Sequence, residues 1–209
     1  MKKLYTLIAI LAVSGCCLTN YVYNIKQHCL FNENICQNNL EVFKNGLDKF
    51  GADGGLYVIQ DMDTADIIEI TTINYQDTGY HPYFRHLQFN EKIKPSQLLA
   101  QYIDEVSKSH ELEEKLRKNV LSGTAKNANI DAVKVFGTTA TTEKENSPKV
   151  ITTFLGHFEQ NHKNYAMIVI LDNPQPLKST FGFRSAGWNA APIARNIIGS
   201  INQEYNNEI

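Results

Sequence analysis

The chain has 209 residues, 43% hydrophobic and 20% charged, with a formal net charge of −2. That length supports one domain with a full core and would stretch to make two, and the composition is that of an ordinary globular protein. The net charge and a pI near 6.3 give no footprint for nucleic acid, which would want a clearly basic face.

Residues 1–23 read as an export signal or membrane anchor. Met1-Lys2-Lys3 is a positive start and Leu4 to Val13 is an almost unbroken apolar run. Two fates fit, and both keep the protein on a membrane. Val13-Ser-Gly-Cys16 resembles a bacterial lipobox, where cleavage before Cys16 leaves a lipidated cysteine. Alternatively the run continues through Leu18, Tyr21 and Val22, and about 20 residues at 1.5 Å each span a bilayer core. Lys2 and Lys3 then hold the N-terminus in the cytoplasm.

Residues 24–39 are polar and rich in Asn, the signature of a linker. Cys29 and Cys36 fall within it and can close a small disulfide loop in an oxidising compartment. So short a loop adds roughly 2–3 kcal/mol at best. There is no Cys-x-x-Cys pair, so neither a zinc site nor a redox motif is expected.

Leu40, Phe43, Leu47 and Phe50 then recur on one helical face, with Gly51 as the stop. Leu56 to Ile59 and Ile67 to Ile73 are β-rich and flank the turn residues Asp61 to Thr64, which predicts a hairpin. Residues 74–91 form a loop rich in aromatics, among them Tyr75, Tyr80, Tyr83 and Phe84. Helices are predicted from Ile93 to Tyr102, with Pro95 in the first turn, and from His110 to Leu121. Strands are predicted from Lys134, over Lys149 to Gly156 and over Tyr165 to Leu171, the last two joined by a polar turn from His157 to Asn164. Pro174 and Pro176 end the sheet, and Trp188 to Ile201 gives a final helix.

Four segments in this order carry a resemblance: Ile93-Lys-Pro-Ser-Gln-Leu-Leu-Ala100, Ser122-Gly-Thr-Ala-Lys126, Gly137-Thr-Thr-Ala-Thr-Thr-Glu-Lys144 and Ala190-Ala-Pro-Ile-Ala-Arg195. Together they resemble the C-terminal part of penicillin-binding protein transpeptidase domains of the class B type. The likeness extends over 40–209, loosely before Ile93. It implies an α+β fold: a mostly antiparallel five-stranded sheet, N- and C-terminal helices on one face, and a reduced helical region on the other. The family's long helical insertion, which carries two of its three catalytic motifs, is replaced by the loop 74–91.

The family's third motif reads Gly-Lys-Thr-Gly-Thr-Ala-Glu-Lys. Thr138 stands in the lysine's place and Ala140 in that of the second glycine, while Thr139 and Thr141 match its threonines. Threonine supplies no charge for a substrate carboxylate, and the alanine methyl crowds a strand that must let a ligand backbone approach. No serine has a lysine three residues on, so the Ser-x-x-Lys pair that activates the family's nucleophile is missing. Ser200-Ile-Asn202 copies the second motif only as a chance pattern on the last helix. Ser122 with Lys126 four residues on is the one substitute pair.

The His81/His86 and His157/His162 pairs lack a ligand frame and read as surface or packing residues, so no metal and no cofactor is expected. The expectation is therefore a membrane-tethered, extracytoplasmic domain that has lost catalysis. It would bind a peptidoglycan peptide or an envelope protein through the remnant strand at Thr138, Thr139 and Thr141. Its rivals are a reduced but active transpeptidase, an unrelated lipoprotein with a similar sheet, and a decaying fragment with no role.

Overall fold

A computed structural model describes residues 23–76, 79–85, 87, 89 and 92–207. The export segment with Cys16 and the side chain of His86 lie outside them. No helix among the described residues is long and apolar enough to cross a membrane. In chain order the elements are β1 (Ile25–Cys29), α1 (Glu33–Lys49), β2 (Gly54–Asp61), β3 (Ile67–Ile73), α2 (Pro95–Lys108), α3 (His110–Ser122), β4 (Val135–Glu143), β5 (Val150–Gln160), β6 (Lys163–Asp172) and α4 (Ala190–Asn207). The strands form one antiparallel sheet in the order β1-β3-β2-β6-β5-β4.

The sheet has six strands where five were expected, and the extra one comes from the presumed linker. β1 pairs with β3 from Ile25↔Ile73 to Cys29↔Glu69. Its alternation of half-buried and exposed residues is that of an edge strand with one face in water, which is why its composition looks like a linker's. The asparagines nearby serve the helix. Asn32 is the N-cap of α1, its side chain accepting the Ile35 N–H at 2.9 Å, so α1 starts at Glu33 rather than near Leu40. Cys29 and Cys36 are joined as a disulfide that ties β1 to the first turn of α1.

β2, β5 and β6 are covered on both faces, and their side chains alternate between two cores. Tyr57, Ile59, Phe154, Met167 and Val169 face α1 and α4. Leu56, Val58, Leu155, Ile168 and Ile170 face α2, α3 and the aromatic loop. The loop expected between Gly156 and Tyr165 is shorter than its polar residues suggest: β5 runs on to Gln160 and only Asn161 and His162, both at positive φ, make the turn. His157 therefore sits inside the sheet.

Each core carries one buried polar cluster. Under β1, the Glu69 carboxylate accepts hydrogen bonds from Tyr57 Oη (2.5 Å), Asn39 Nδ2 (2.8 Å) and Gln27 Nε2 (3.0 Å), and no ion pair reaches it among the described residues. Burial pushes its carboxyl above the ordinary value of 4.5, outweighing the three donors that favour the charged form. On the other face, His157 Nδ1 is 2.7 Å from Tyr102 Oη, its Nε2 is 3.6 Å from Glu113 Oε1, and its ring stacks on Phe136 at 4.3 Å. Burial pushes this imidazole down to about 4 against the pull of Glu113. The Tyr102 phenol, held protonated by burial, donates to the neutral ring.

The two clusters make opposite contributions to stability as pH changes. A histidine pKa lowered from 6.5 to about 4 means that the unfolded chain binds the extra proton, so stability is lost as pH falls through that window. Replacing His157 with Phe should remove an acid-side loss of roughly 2–3 kcal/mol between pH 6.5 and 4, read from denaturant midpoints across pH. A raised glutamate pKa works in the other direction: its stability is present below 4.5 and is lost as pH rises through the folded value. Glu69→Gln should therefore flatten the decline above pH 4.5 and match or exceed the parent's stability at pH 7. A variant less stable than the parent by several kcal/mol at pH 7 would contradict this reading.

Candidate functional site

The segments that carry the sequence resemblance meet around β4. α3 leads through the turn 123–128 into β4, and the turn 177–188 returns from the sheet to α4 beside the same strand. Gly137 lies directly opposite Gly156 in β5, and a Cβ on Gly137 would come within 2.7 Å of the Phe154 ring. The glycine is needed for that close cross-strand approach.

Thr138, Thr139 and Thr141 point in different directions and meet different fates. Thr138 shares a face with Phe136 and Ala140, and it is only 1% exposed. The loop between β3 and α2 lies over this face: Tyr80 pairs with Ile93 through backbone hydrogen bonds in both directions, and Tyr80 Oη is 2.8 Å from Thr153 Oγ1, the residue across from Ala140. Phe84 and Leu87 are buried in the same core, and Tyr83 alone of these points out, at 81% exposure. Position 138 is thus a neutral side chain in a covered core.

Thr139 and Thr141 lie on the other face at the sheet's rim. Thr139 Oγ1 donates to Thr124 Oγ1 at 2.9 Å, and Thr141 Oγ1 accepts the Ala186 N–H at 3.0 Å. Both turns flanking β4 are therefore fastened to the two threonines that match the family motif. β4 is an edge strand, and its outward backbone groups alternate with those that pair to β5. Arg117 Nη1 donates to Val135 O (2.8 Å) and Asn119 Nδ2 to Gly137 O (3.0 Å), so α3 caps the first half of the edge. From Thr139 onward no such cap is present among the described residues.

The substitute pair does not assemble. The Ser122 hydroxyl donates to Lys118 O at 3.3 Å, both Ser122 and Lys126 are exposed, and no hydrogen bond joins them. Ser200 lies on α4, across the sheet from Thr138. His81 and His162 are exposed, and no group of three or more His, Cys, Asp or Glu side chains that could hold a metal ion occurs among the described residues. A shallow cleft of about 400 Å³ runs between α3 and the start of β4, lined by His110, Glu113, Arg117, Lys134 and Phe136 among others. Phe136 has His157 stacked at 4.3 Å and the Lys134 ammonium 4.9 Å from its ring, which leaves little free aromatic surface there. The sequence had pointed to neither the Tyr102–His157–Glu113 chain nor the exposed Phe181 and Phe183 of the turn 177–188. The advance signal for the turn was its density of aromatic and glycine residues between Thr180 and Trp188.

No family model matches the sequence, and no curated protein is significantly similar to it. Solved structures are similar in fold. The transpeptidase domain of a D,D-transpeptidase from Legionella pneumophila superposes with a TM-score of 0.65 at 15% identity, covering 82% of this chain and 97% of that one. The transpeptidase domain of penicillin-binding protein 3 from Burkholderia pseudomallei gives 0.64 at 12% identity, covering 85% and 96%. A peptidoglycan glycosyltransferase from Burkholderia ambifaria gives 0.64 at 12% identity, covering 86% and 98%. The chain has the fold of penicillin-binding protein transpeptidase domains.

Proposed function

We propose that the protein is a transpeptidase-fold domain that works by binding, on a peptidoglycan peptide or a protein partner in cell-envelope assembly. Its N-terminal segment tethers it to the membrane, with the domain on the extracytoplasmic side. The observation that carries this reading is the neutral, buried Thr138 at the position of the family's lysine. Serine acyl transfer needs a nucleophile, a base to take its proton and donors for the oxyanion. The chain has no Ser-x-x-Lys spacing, and Ser122 and Lys126 are not hydrogen-bonded to each other. Catalytic groups that act as a unit fail as a unit, so a shell with neither partner has no route to residual turnover. The Cys29–Cys36 disulfide fits an oxidising compartment, and residues 1–23 supply the export signal.

Intact mass spectrometry of the membrane-extracted protein, before and after incubation with benzylpenicillin, tests the proposal. The expected result is no added antibiotic mass on folded protein, with or without lipid mass at Cys16. An adduct on any serine, Ser122 included, would show an active acyl-enzyme and overturn it.

A further inference from the structure

The end of the sheet at which the chain enters the fold also carries two solvent-exposed rings. The pairings Ile25↔Ile73, Gly55↔Ile73, Gly54↔Asp172, Ile151↔Asp172 and Glu143↔Val150 set the start of β1 level with the starts of β2 and β5 and the finish of β3, β4 and β6. The C-terminus of α1 is there too, because Gln175 N–H donates to Phe50 O at 2.7 Å. The turn 177–188 sets out from that junction and returns at the same end, where Thr141 Oγ1 accepts the Ala186 N–H at 3.0 Å. Its Phe181 and Phe183 are 76% and 57% exposed.

Little slack separates that end from the N-terminal apolar run. Tyr23 Oη donates to Asp48 near the end of α1. Asn24 and Asn74 hold each other: Asn74 Oδ1 accepts the Asn24 N–H at 2.8 Å, and Asn74 N–H donates to Asn24 O at 3.1 Å. A membrane span that runs to Val22 therefore meets the fold at once. An anchor that ends in lipid at Cys16 adds only residues 17–22, at most about 20 Å of extended chain. β1 and β4 are opposite edges of the sheet, about 24 Å apart at strand spacing, so a bilayer facing this end meets both the entry point and the turn.

The turn presents its rings from a fixed backbone. Phe181 is kept at φ 53°, uncommon for a bulky residue, by Gly182 N–H to Leu177 O at 2.9 Å and Phe183 N–H to Thr180 O at 2.8 Å. Its ring meets Trp188 edge-on at 5.6 Å. Charge at this end gives little direction. Lys144 pairs with Asp172, Lys149 with Asp53 and Lys92 with Glu145. The groups without an ion pair among the described residues have both signs, Lys49, Lys178 and Arg184 against Asp48 and Glu143. Exposed rings are therefore the main attraction, and the Lys178 and Arg184 stems beside them can lie along an apolar layer with their charges at phosphate depth. We infer that this end of the sheet rests on the bilayer that holds the anchor, with Phe181 and Phe183 inserted at the headgroup boundary. The tether supplies the local concentration that two rings alone would not. This inference rests on the reading of residues 1–23 as a membrane tether, and it gives the domain an orientation on that membrane.

Trp188 is the chain's one tryptophan, so its emission reports from beside Phe181 in the full-length protein. The full chain is reconstituted with phosphatidylcholine vesicles, with and without lipid spin-labelled high on the acyl chain, and vesicle-bound protein is isolated by flotation. The label should quench Trp188 at least about twofold, as a ring at the headgroup boundary requires. The quenching should be the same in 50 and 300 mM salt, roughly the range over which screening weakens a charge-held contact. The double variant Phe181→Ser, Phe183→Ser alters only exposed rings, and it should float as the parent does while losing at least about half of the quenching. Leu30 is 52% exposed just past the far end of β1, so a Leu30→Trp reporter in a Trp188→Phe background should escape the label. Floating protein with Trp188 unquenched, a double variant quenched as the parent is, quenching lost in high salt, or a Leu30→Trp reporter quenched as strongly as Trp188 would each overturn this orientation while the tether stands. Protein that fails to float would overturn the tether and the inference with it.

Discussion

A sheet buried on both faces must be covered on both, and this requirement shapes the site. α1 and α4 cover most of one face. On the other, only about twenty residues separate β3 from α2, too few for a further helical layer, and α3, which packs along the first half of β4, leaves the face around Thr153 to be covered by other residues. The loop from Tyr80 to Ile93 closes that gap with Tyr80, Phe84 and Leu87, and it is pinned by Tyr80 to Thr153. Once those side chains lie on the sheet, the inward positions of β4 are core. A lysine there would be an ammonium in an apolar layer with no partner, whereas threonine is small and tolerates burial. The covering loop and the neutral residue at position 138 thus answer one physical requirement rather than two.

β4 consequently has two unlike sides. Its inner half is dry and neutral, and its rim is polar, partly unpaired and bordered by cations and exposed aromatic rings. Thr139 and Thr141 each anchor one of the turns that frame the rim.

Much of this was legible in the residues. Helical spacing identified α2, α3 and α4, β-branched runs identified β2, β3, β5 and β6, and the ordered segments from Ile93 onward identified the fold itself. The polar tract 24–39 misled, because an edge strand with one wet face and an asparagine-capped helix start use the same residues as a linker. His157 misled in the same way: a histidine near polar residues reads as a turn, and its burial depends on Tyr102 and Glu113, which are brought up by helices distant in sequence. Glu69 gave no warning either, since its three neutral donors come from β1, α1 and β2. Contacts between elements are set by topology, and a pattern within one segment cannot report them.

A lysine placed at position 138 puts the covered site to its most direct test. With Thr138→Lys in the full chain, the site described here predicts a loss of at least about 3 kcal/mol in unfolding free energy at pH 7, because the ammonium has neither water nor a carboxylate to meet. If the variant instead unfolds at the parent's denaturant midpoint and its new lysine titrates near 10.4, the position opens to solvent and the covered site described here is wrong.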